Sequence, residues 1–435
     1  MRSTAALRRR ILARDAHVVV VGQGYVGLSL ACAAAEAGFA VTGIDVDPDR
    51  VAALAAGELC VPGVDESAFQ RGMATRRLAF TTGGEPLAEA DVVCICVPTP
   101  VRDHTPDLSY VEQACRDVAK YPIGGRLVVL ESTTYPGTTN EVVAPLLEAS
   151  GQRAGRDFLL AYSPERIDPG NQEFHFANTP RIVGGTTAEA TSVAALFYEQ
   201  MIEKVVTVSS ARAAELAKLL ENTFRHVNIA LVNEMAMVCH ETGIDVWEVI
   251  GAAATKPFGF MAFTPGPGVG GHCIPLDPAY LAWQVRRDVG HQFRILEQAQ
   301  DVNAQMPGWV ARRIGEALNE HAKPLKGARV LVLGVAYKPD VGDVRESPAL
   351  RVMSVLARRG VKLSFHDPFV DAVEIQGRRL ARTALTARAV AGADLVALLT
   401  PHSSYDLEWL AGMAPLLFDA RNAIGPGQHP NLVQL

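Results

Sequence analysis

The stretch Val18–Asp47, "VVVVGQGYVGLSLACAAAEAGFAVTGIDVD", sets an apolar run, a glycine cluster, a helix-forming segment and a second apolar run ending on acids in unbroken succession. Val18–Val21 reads as a strand, because consecutive β-branched residues suit a pleated, buried surface. Gly22-x-Gly24-x-x-Gly27 opens an Ala- and Leu-rich segment of helical character, and Ala40–Ile44 reads as the next strand. In such a unit the glycines serve a tight turn, close approach of a pyrophosphate to the helix N-terminus, and helix–sheet packing. Tyr25 and Val26 sit in that first turn. Asp45 ends the second strand where a carboxylate accepts from adenosine ribose hydroxyls; this predicts NAD and, by repulsion of a 2′-phosphate, disfavours NADP. Asp47 and Arg50 follow as either a solvated turn or further adenosine contacts.

Similar runs recur outward from this stretch: "DVVCICVP", "RLVVLEST", "FLLAYSP" and "KVVTVS", alternating with segments of helical period. That alternation predicts a parallel sheet with helices on both faces. From Ala211 the character changes to "ARAAELAKLLENTFRHVNIALVNEMAMVCHETG", one long helix with Gly243 where a C-cap would sit. Leu216, Leu219, Leu220, Ile229, Leu231 and Met235 lie around more of its circumference than one core-facing stripe requires. After "KPLKG" strand-like runs resume with "ARVLVLGVAY", "KLSFHDP" and "DLVALLTP". The expected fold is α/β: two Rossmann-like doubly wound domains joined by a long central helix and helical middle region, with boundaries at 1–210, 211–320 and 321–435.

Composition sets outer limits on function. Over 435 residues, 49% are hydrophobic and 20% charged, the balance of a globular protein. No apolar run approaches the ~20 residues that span a bilayer, so no membrane association is expected. The basic start "MRSTAALRRRILARDAH" lacks the apolar core of a secretion signal, which predicts a cytoplasmic protein. Seven cysteines form an odd set without metal-like CxxC pairing, as suits reduced thiols and no bound metal. A net charge of −6 argues against a nucleic-acid surface while leaving room for local basic pockets.

One of those cysteines stands in "PGPGVGGHCIPLDPAYL", Pro265–Leu281. On that stretch alone Cys273 reads either as a small buried hydrophobe or as a thiol held at a cleft by a glycine- and proline-directed backbone. Its company is what decides. With "AKLLENTF", "ESTTYPGTT", "YSPERIDPGN" and "GVAYKPDVGDVRESPAL", the chain resembles the UDP-glucose and GDP-mannose dehydrogenases, in that family's motif order from Val18 to about Asn422. The resemblance implies NAD-dependent, four-electron oxidation of a nucleotide sugar's C6 alcohol to a carboxylate. An aldehyde has no second hydride to give until a nucleophile adds, and Cys273 is implied as that nucleophile, through a thiohemiacetal and a thioester. Lys218 and Asn222, one turn apart on the helix, are implied to stabilise developing negative charge; without the resemblance they would read as ordinary polarity on a solvated face. Asp277 is implied as the base that activates water, Thr134 as its holder and Glu165 as the acid of thioester hydrolysis.

Beyond this catalytic set, the resemblance implies a sugar pocket of Glu165, Arg166, Lys218, Asn222, Gly270, Gly271, His272 and Lys338, in which glycines 268, 270 and 271 make room for the sugar. The cofactor would meet Gly22, Gly24, Tyr25, Val26, Gly27, Asp45, Arg50, Pro98, Thr99, Thr134 and Arg345, the last reaching from the C-terminal nucleotide-sugar domain. A homodimer through the central helix is also implied. His272 stands where glucose-specific members carry Ser, Leu276 where they carry Lys, and "TKPFGFMAF" replaces their Asp-x-Arg-Ile-Gly segment. These departures weaken UDP- or TDP-glucose and favour the UDP-N-acetylhexosamine branch, with UDP-N-acetylglucosamine preferred and UDP-N-acetylmannosamine as the alternative. A two-electron hydroxy-acid dehydrogenase would need no thiol and would leave the second α/β domain unexplained. A non-catalytic regulator binding NAD or a nucleotide sugar predicts lesions in the catalytic set, and none is present.

Overall fold

Neighbouring residues along the first strand enter different cores, which is why the sequence runs apolar without alternation: Val18 and Val20 join one cluster, Val19 the other. The computed structural model describes residues 3–102, 105–167, 171, 173–271, 274–425 and 429–435. The chain divides into two units: Met1–Glu221 with Ala279–Gly290, and Asn222–Pro278 with His291–Leu435. The fold is α/β, with a Rossmann-like, doubly wound sheet in the first unit.

The main sheet of the first unit has eight strands: β1 His17–Val21, β2 Ala40–Ile44, β3 Leu78–Thr81, β4 Val92–Ile95, β5 Leu127–Leu130, β6 Leu159–Tyr162, β7 Arg181–Gly185 and β8 Val205–Thr207. Their spatial order is β8-β7-β6-β5-β4-β1-β2-β3. All pairs are parallel except β6 with β7. The strand order reverses at β1, flanked by β2 on one side and β4 on the other, with Val20 opposite both Gly43 and Cys94. In doubly wound sheets the crevice outside the strand C-termini at such a reversal takes the ligand. Helix α1, Tyr25–Glu36, follows β1, and α2, Pro48–Ala55, follows β2.

The second unit repeats the plan with strands β9 Arg329–Leu333, β10 Lys362–His366, β11 Leu395–Leu398, β12 Leu417–Asp419 and β13 Leu432–Gln434, ordered β10-β9-β11-β12-β13 and all parallel. Here too alternate residues feed two cores, Val330 and Val332 one, Leu331 and Leu333 the other. Helix α3, Ala211–Thr242, contributes residues to both units, and Gly243, with φ of 71°, ends it in the left-handed conformation that a side chain disfavours. Helices α4 Asp277–Val289, α5 Arg294–Glu320 and α6 Pro348–Arg358 complete the frame needed below. Among the described residues, no helix is long and apolar enough to cross a membrane.

Candidate active site

In the first unit the turn after β1 has the shape that a dinucleotide needs. Gly22 has φ of 92°, and a Cβ there would lie 2.6 Å from the Cys96 carbonyl oxygen. A Cβ on Gly27 would lie 1.9 Å from the Gly22 oxygen, so that position is closed to any side chain. Gly24 differs: nothing lies within 4 Å of its absent Cβ, and as N-cap of α1 it provides no side-chain cap. An open space over uncapped N–H groups at a helix N-terminus fits a pyrophosphate. Asp45, just past β2, accepts from the Gln23 N–H at 2.7 Å and the Asp47 N–H at 3.0 Å. Arg50 reaches the same carboxylate at 3.0 Å, while Asp47 caps α2 through the Asp49 and Arg50 N–H groups. Thus Asp47 is a helix cap, and Arg50 is the residue that neutralises Asp45. Pro98 is exposed and Thr99 buried in the segment after β4, where the Thr99 carbonyl accepts from the Tyr280 hydroxyl at 2.7 Å.

Beyond β5, Thr134 is fully buried, and its hydroxyl oxygen has no hydrogen-bond partner among the described residues. The turn after it is tied to α3 by Glu215, which accepts from the Gly137 N–H at 2.5 Å and from the Thr139 N–H and hydroxyl at 2.8 and 2.6 Å. Burial pushes the Glu215 carboxyl above its ordinary range, and those donors pull it back. Lys218, one turn further along α3, is only 8% exposed and makes no hydrogen bond or ion pair with another described residue. A solvated helix face is therefore not its setting.

Glu165 lies beyond the end of β6, fixed by three donors. The N–H groups of Arg166 and Ile167 donate to Oε1 at 2.6 and 2.7 Å, and Arg181 donates to Oε2 at 2.7 Å. A carboxylate has about four acceptor directions, so one remains for a ligand or water. Arg181 also donates to Ser163 at 2.9 Å and pairs with Glu131, which accepts from the Tyr198 hydroxyl. Burial works against the Arg181 charge, but Glu131 and Glu165 outweigh it and hold the guanidinium protonated. Burial raises Glu131, with Arg181 opposing. Sequence reasoning passed over Arg181 and Glu131. Their signal was a lone cation in the buried strand "RIVGG", where a charge requires a partner. Arg166 pairs with Glu221 at 2.8 Å and donates to the Pro180 carbonyl.

In the second unit the Asn222 amide donates to Asp277, which is 3% exposed at the start of α4. The glycines before the thiol do not open onto free space. A Cβ on Gly270 would meet the Glu346 oxygen and Pro348 at 2.8 Å, and one on Gly271 the Tyr337 ring at 2.8 Å. For Gly268 the neighbours are the Asn303 oxygen at 3.1 Å and Pro348 at 3.4 Å. The expected room for a sugar on that side is taken by the chain's own loop Tyr337–Glu346 and the start of α6. Gly271 also donates to the Arg345 carbonyl at 3.0 Å. Two buried asparagines hold the start of the stretch: Gly266 donates to Asn233 and Asn233 to Asn303, each at 2.9 Å. Neither asparagine was singled out in sequence. Lys338 is half-buried on the loop, and Arg345 is exposed and paired with Asp343 at 2.6 Å. Cys273 and His272 lie outside the described residues.

Comparison with known proteins agrees with this geometry. Residues 16–202 match the NAD binding domain of the UDP-glucose/GDP-mannose dehydrogenase family, residues 212–305 its central domain and residues 331–426 its UDP binding domain. A UDP-N-acetyl-D-mannosamine dehydrogenase of Pyrococcus horikoshii is 35% identical over 419 residues, covering 94% of this chain and 96% of that one. A UDP-N-acetyl-D-glucosamine 6-dehydrogenase of Pseudomonas aeruginosa is 36% identical over 362 residues, covering 82% and 84%. The solved structure of a UDP-D-ManNAc dehydrogenase from Pyrococcus horikoshii superposes with a TM-score of 0.86 at 34% identity, covering 96% and 98% of the two chains.

Proposed function

Since the chain belongs to the UDP-glucose/GDP-mannose dehydrogenase family and is an NAD-dependent nucleotide-sugar dehydrogenase, we propose that it oxidises C6 of UDP-N-acetylglucosamine to the carboxylate, with Cys273 as the covalent carrier. The observation that carries this reading is the pair of polar groups that α3 and the β5 loop leave without partners among the described residues, Lys218 and the Thr134 hydroxyl. Burying such groups costs free energy unless a ligand or water completes them. The fit of the glycine turn and Asp45 to a dinucleotide supplies the hydride acceptor: NAD, when bound, takes up the hydride of each oxidation.

The chain's own groups do the rest. When C6 has lost a hydride and its hydroxyl has lost a proton to water, the Cys273 thiolate adds to the resulting aldehyde carbon, and the carbonyl oxygen becomes an alkoxide. The Lys218 ammonium and the Asn222 amide take up that charge. Loss of the second hydride leaves a thioester. Asp277 accepts a proton from water held by Thr134; the resulting hydroxide adds to the thioester carbon, and the thiolate leaves. A hydrogen bond links Asn222 and Asp277 in support of these paired roles, and Glu165, held by Arg181, assists this hydrolysis. In the same reading, Lys338 contacts the nucleotide sugar and Arg345 lies toward the cofactor.

The manno epimer is the second reading, favoured by the wider coverage of the Pyrococcus relative. UDP-N-acetylglucosamine, UDP-N-acetylmannosamine, UDP-glucose and TDP-glucose, each offered with NAD, decide between them. The expected result is two NADH per uronic acid from the gluco acetamido sugar. Fastest turnover of the manno epimer would move the assignment to the second reading, and one NADH with free aldehyde would overturn the covalent mechanism. We further propose a homodimer through α3, whose Leu216, Leu220, Phe224, Leu231, Met235 and Val238 are exposed on one face. A cytoplasmic location accords with the six described cysteines, all free.

A further inference from the structure

The turn after β9 repeats the turn after β1 almost atom for atom, but its acid faces inward. Gly22 donates to the Ile44 carbonyl at 2.8 Å, and Gly334 to the His366 carbonyl at 2.9 Å. The next residue donates to the acid that ends the second strand, Gln23 to Asp45 at 2.7 Å and Val335 to Asp367 at 2.8 Å. The residue two beyond each acid donates to the other carboxylate oxygen, Asp47 at 3.0 Å and Phe369 at 2.9 Å. The two sites then part. Asp45 is 5% exposed and meets the partly exposed Arg50, whereas Asp367 has no exposed surface and receives the Ala336 N–H at 3.1 Å and His402 Nε2 at 3.0 Å. A carboxylate sealed in this way is not available to a ribose.

The other nitrogen of His402 shows what the sealed acid serves. Nδ1 lies 3.0 Å from the Asp340 backbone N–H, which can only donate, so Nδ1 carries no proton and the Nε2–H is given to Asp367. Asp340 has φ of 60°, a conformation that side chains disfavour, and its carboxylate is held by the Ser403 N–H and hydroxyl at 2.9 and 3.0 Å. Non-glycine residues keep that conformation only where their surroundings impose it. Asp340 lies two residues beyond Lys338 on the loop Tyr337–Glu346, whose ends are closed by the Tyr337 N–H on the Asp343 carbonyl at 3.0 Å and the Ser347 hydroxyl on the Val335 carbonyl at 2.7 Å.

We propose that His402 is a positioning residue for the nucleotide sugar: orientated by Asp367, it fixes Asp340 and so presents Lys338 to the nucleoside diphosphate. This rests on the reading of Lys338 as a substrate contact. Asparagine and glutamine separate the two bonds of the imidazole. The shorter His402→Asn keeps an acceptor for the Asp340 N–H and loses Asp367. The longer His402→Gln keeps a donor to Asp367 and abandons Asp340.

The full-length protein is titrated with UDP and with NAD, and assayed with the nucleotide sugar. His402→Gln should raise the UDP Kd and the sugar KM about tenfold, as for one lost hydrogen bond, with kcat, the NAD Kd and Tm unchanged. His402→Asn should bind UDP within about threefold of the parent. Parental UDP binding by His402→Gln, with Lys338→Ala weakened, overturns the proposal and leaves the Lys338 reading standing. Parental binding by Lys338→Ala overturns that reading itself. Equal weakening in both His402 variants with equal loss of Tm also overturns the proposal, since the histidine then only supports the fold.

Discussion

Lys218 and His226 stand two turns apart on α3, both buried and each charged only at a cost, yet they make opposite predictions. A lysine buried without a partner among the described residues gains nothing from them by its charge, so Lys218→Met should raise Tm by a few degrees while kcat falls by about two to three orders of magnitude. Thermal denaturation and single-turnover kinetics on the same sample check both signs; a falling Tm with unchanged kcat would make the residue structural. His226 is 2% exposed, and burial lowers its pKa to about 4 against a weaker opposing bond to the Ile274 backbone. The unfolded chain keeps the ordinary value of 6.5. Between those values the unfolded chain binds a proton that the native one does not. Stability is therefore complete above pH 6.5 and lost as pH falls toward 4, by about 2 kcal/mol between pH 7 and 5. Urea titrations of the parent and His226→Asn at those two pH values should differ in slope against pH by that amount. Neither burial was legible in sequence, because a helix of mixed polarity does not announce which side is covered.

At the scale of the element, α3 shows how far periodicity carries. Its length and its Gly243 stop were readable, since helical spacing and a left-handed terminator are local properties. So was the surplus of apolar residues. Leu219 turned inward, while Leu216, Leu220, Leu231 and Met235 remained outside and were joined there by Phe224 and Val238. At 3.6 residues per turn these six fall within an arc of about 100°, a single stripe. A self-complementary stripe suits an isologous contact. Leu220→Glu with Leu231→Glu should therefore halve the mass seen by light scattering at micromolar concentration while leaving helicity intact; an unchanged dimer mass would place the interface elsewhere. The glycine-rich stretch before Cys273 illustrates the reverse. Its glycines signalled close approach, but only the three-dimensional neighbours, Tyr337, Glu346 and Pro348, identify the approaching group as the chain itself.

At the scale of the molecule, two units with separate cores repeat one turn, with Gln23 donating to Asp45 in the first and Val335 to Asp367 in the second, where the acid has no exposed surface. In hydrogen exchange, NAD should slow the amides of Gly22–Gly27, and UDP those of Tyr337–Glu346; protection of Gly22–Gly27 by UDP alone would contradict the division of labour. The sequence by itself determined the strands, the glycine turn, Asp45 and the long helix, because each rests on residues close together in the chain whose backbone preferences and hydrophobic periods act locally, and it determined the family through the order of several such local motifs along the chain. Tertiary structure alone decided which charges are buried and what holds them. Arg181 meets Glu165 and Glu131 across 16 and 50 residues, Tyr198 meets Glu131 across 67, and His402 meets Asp367 and Asp340 across 35 and 62. No local preference encodes such partners: a buried charge is tolerable only where the folded chain brings its complement, and that depends on the packing of whole strands.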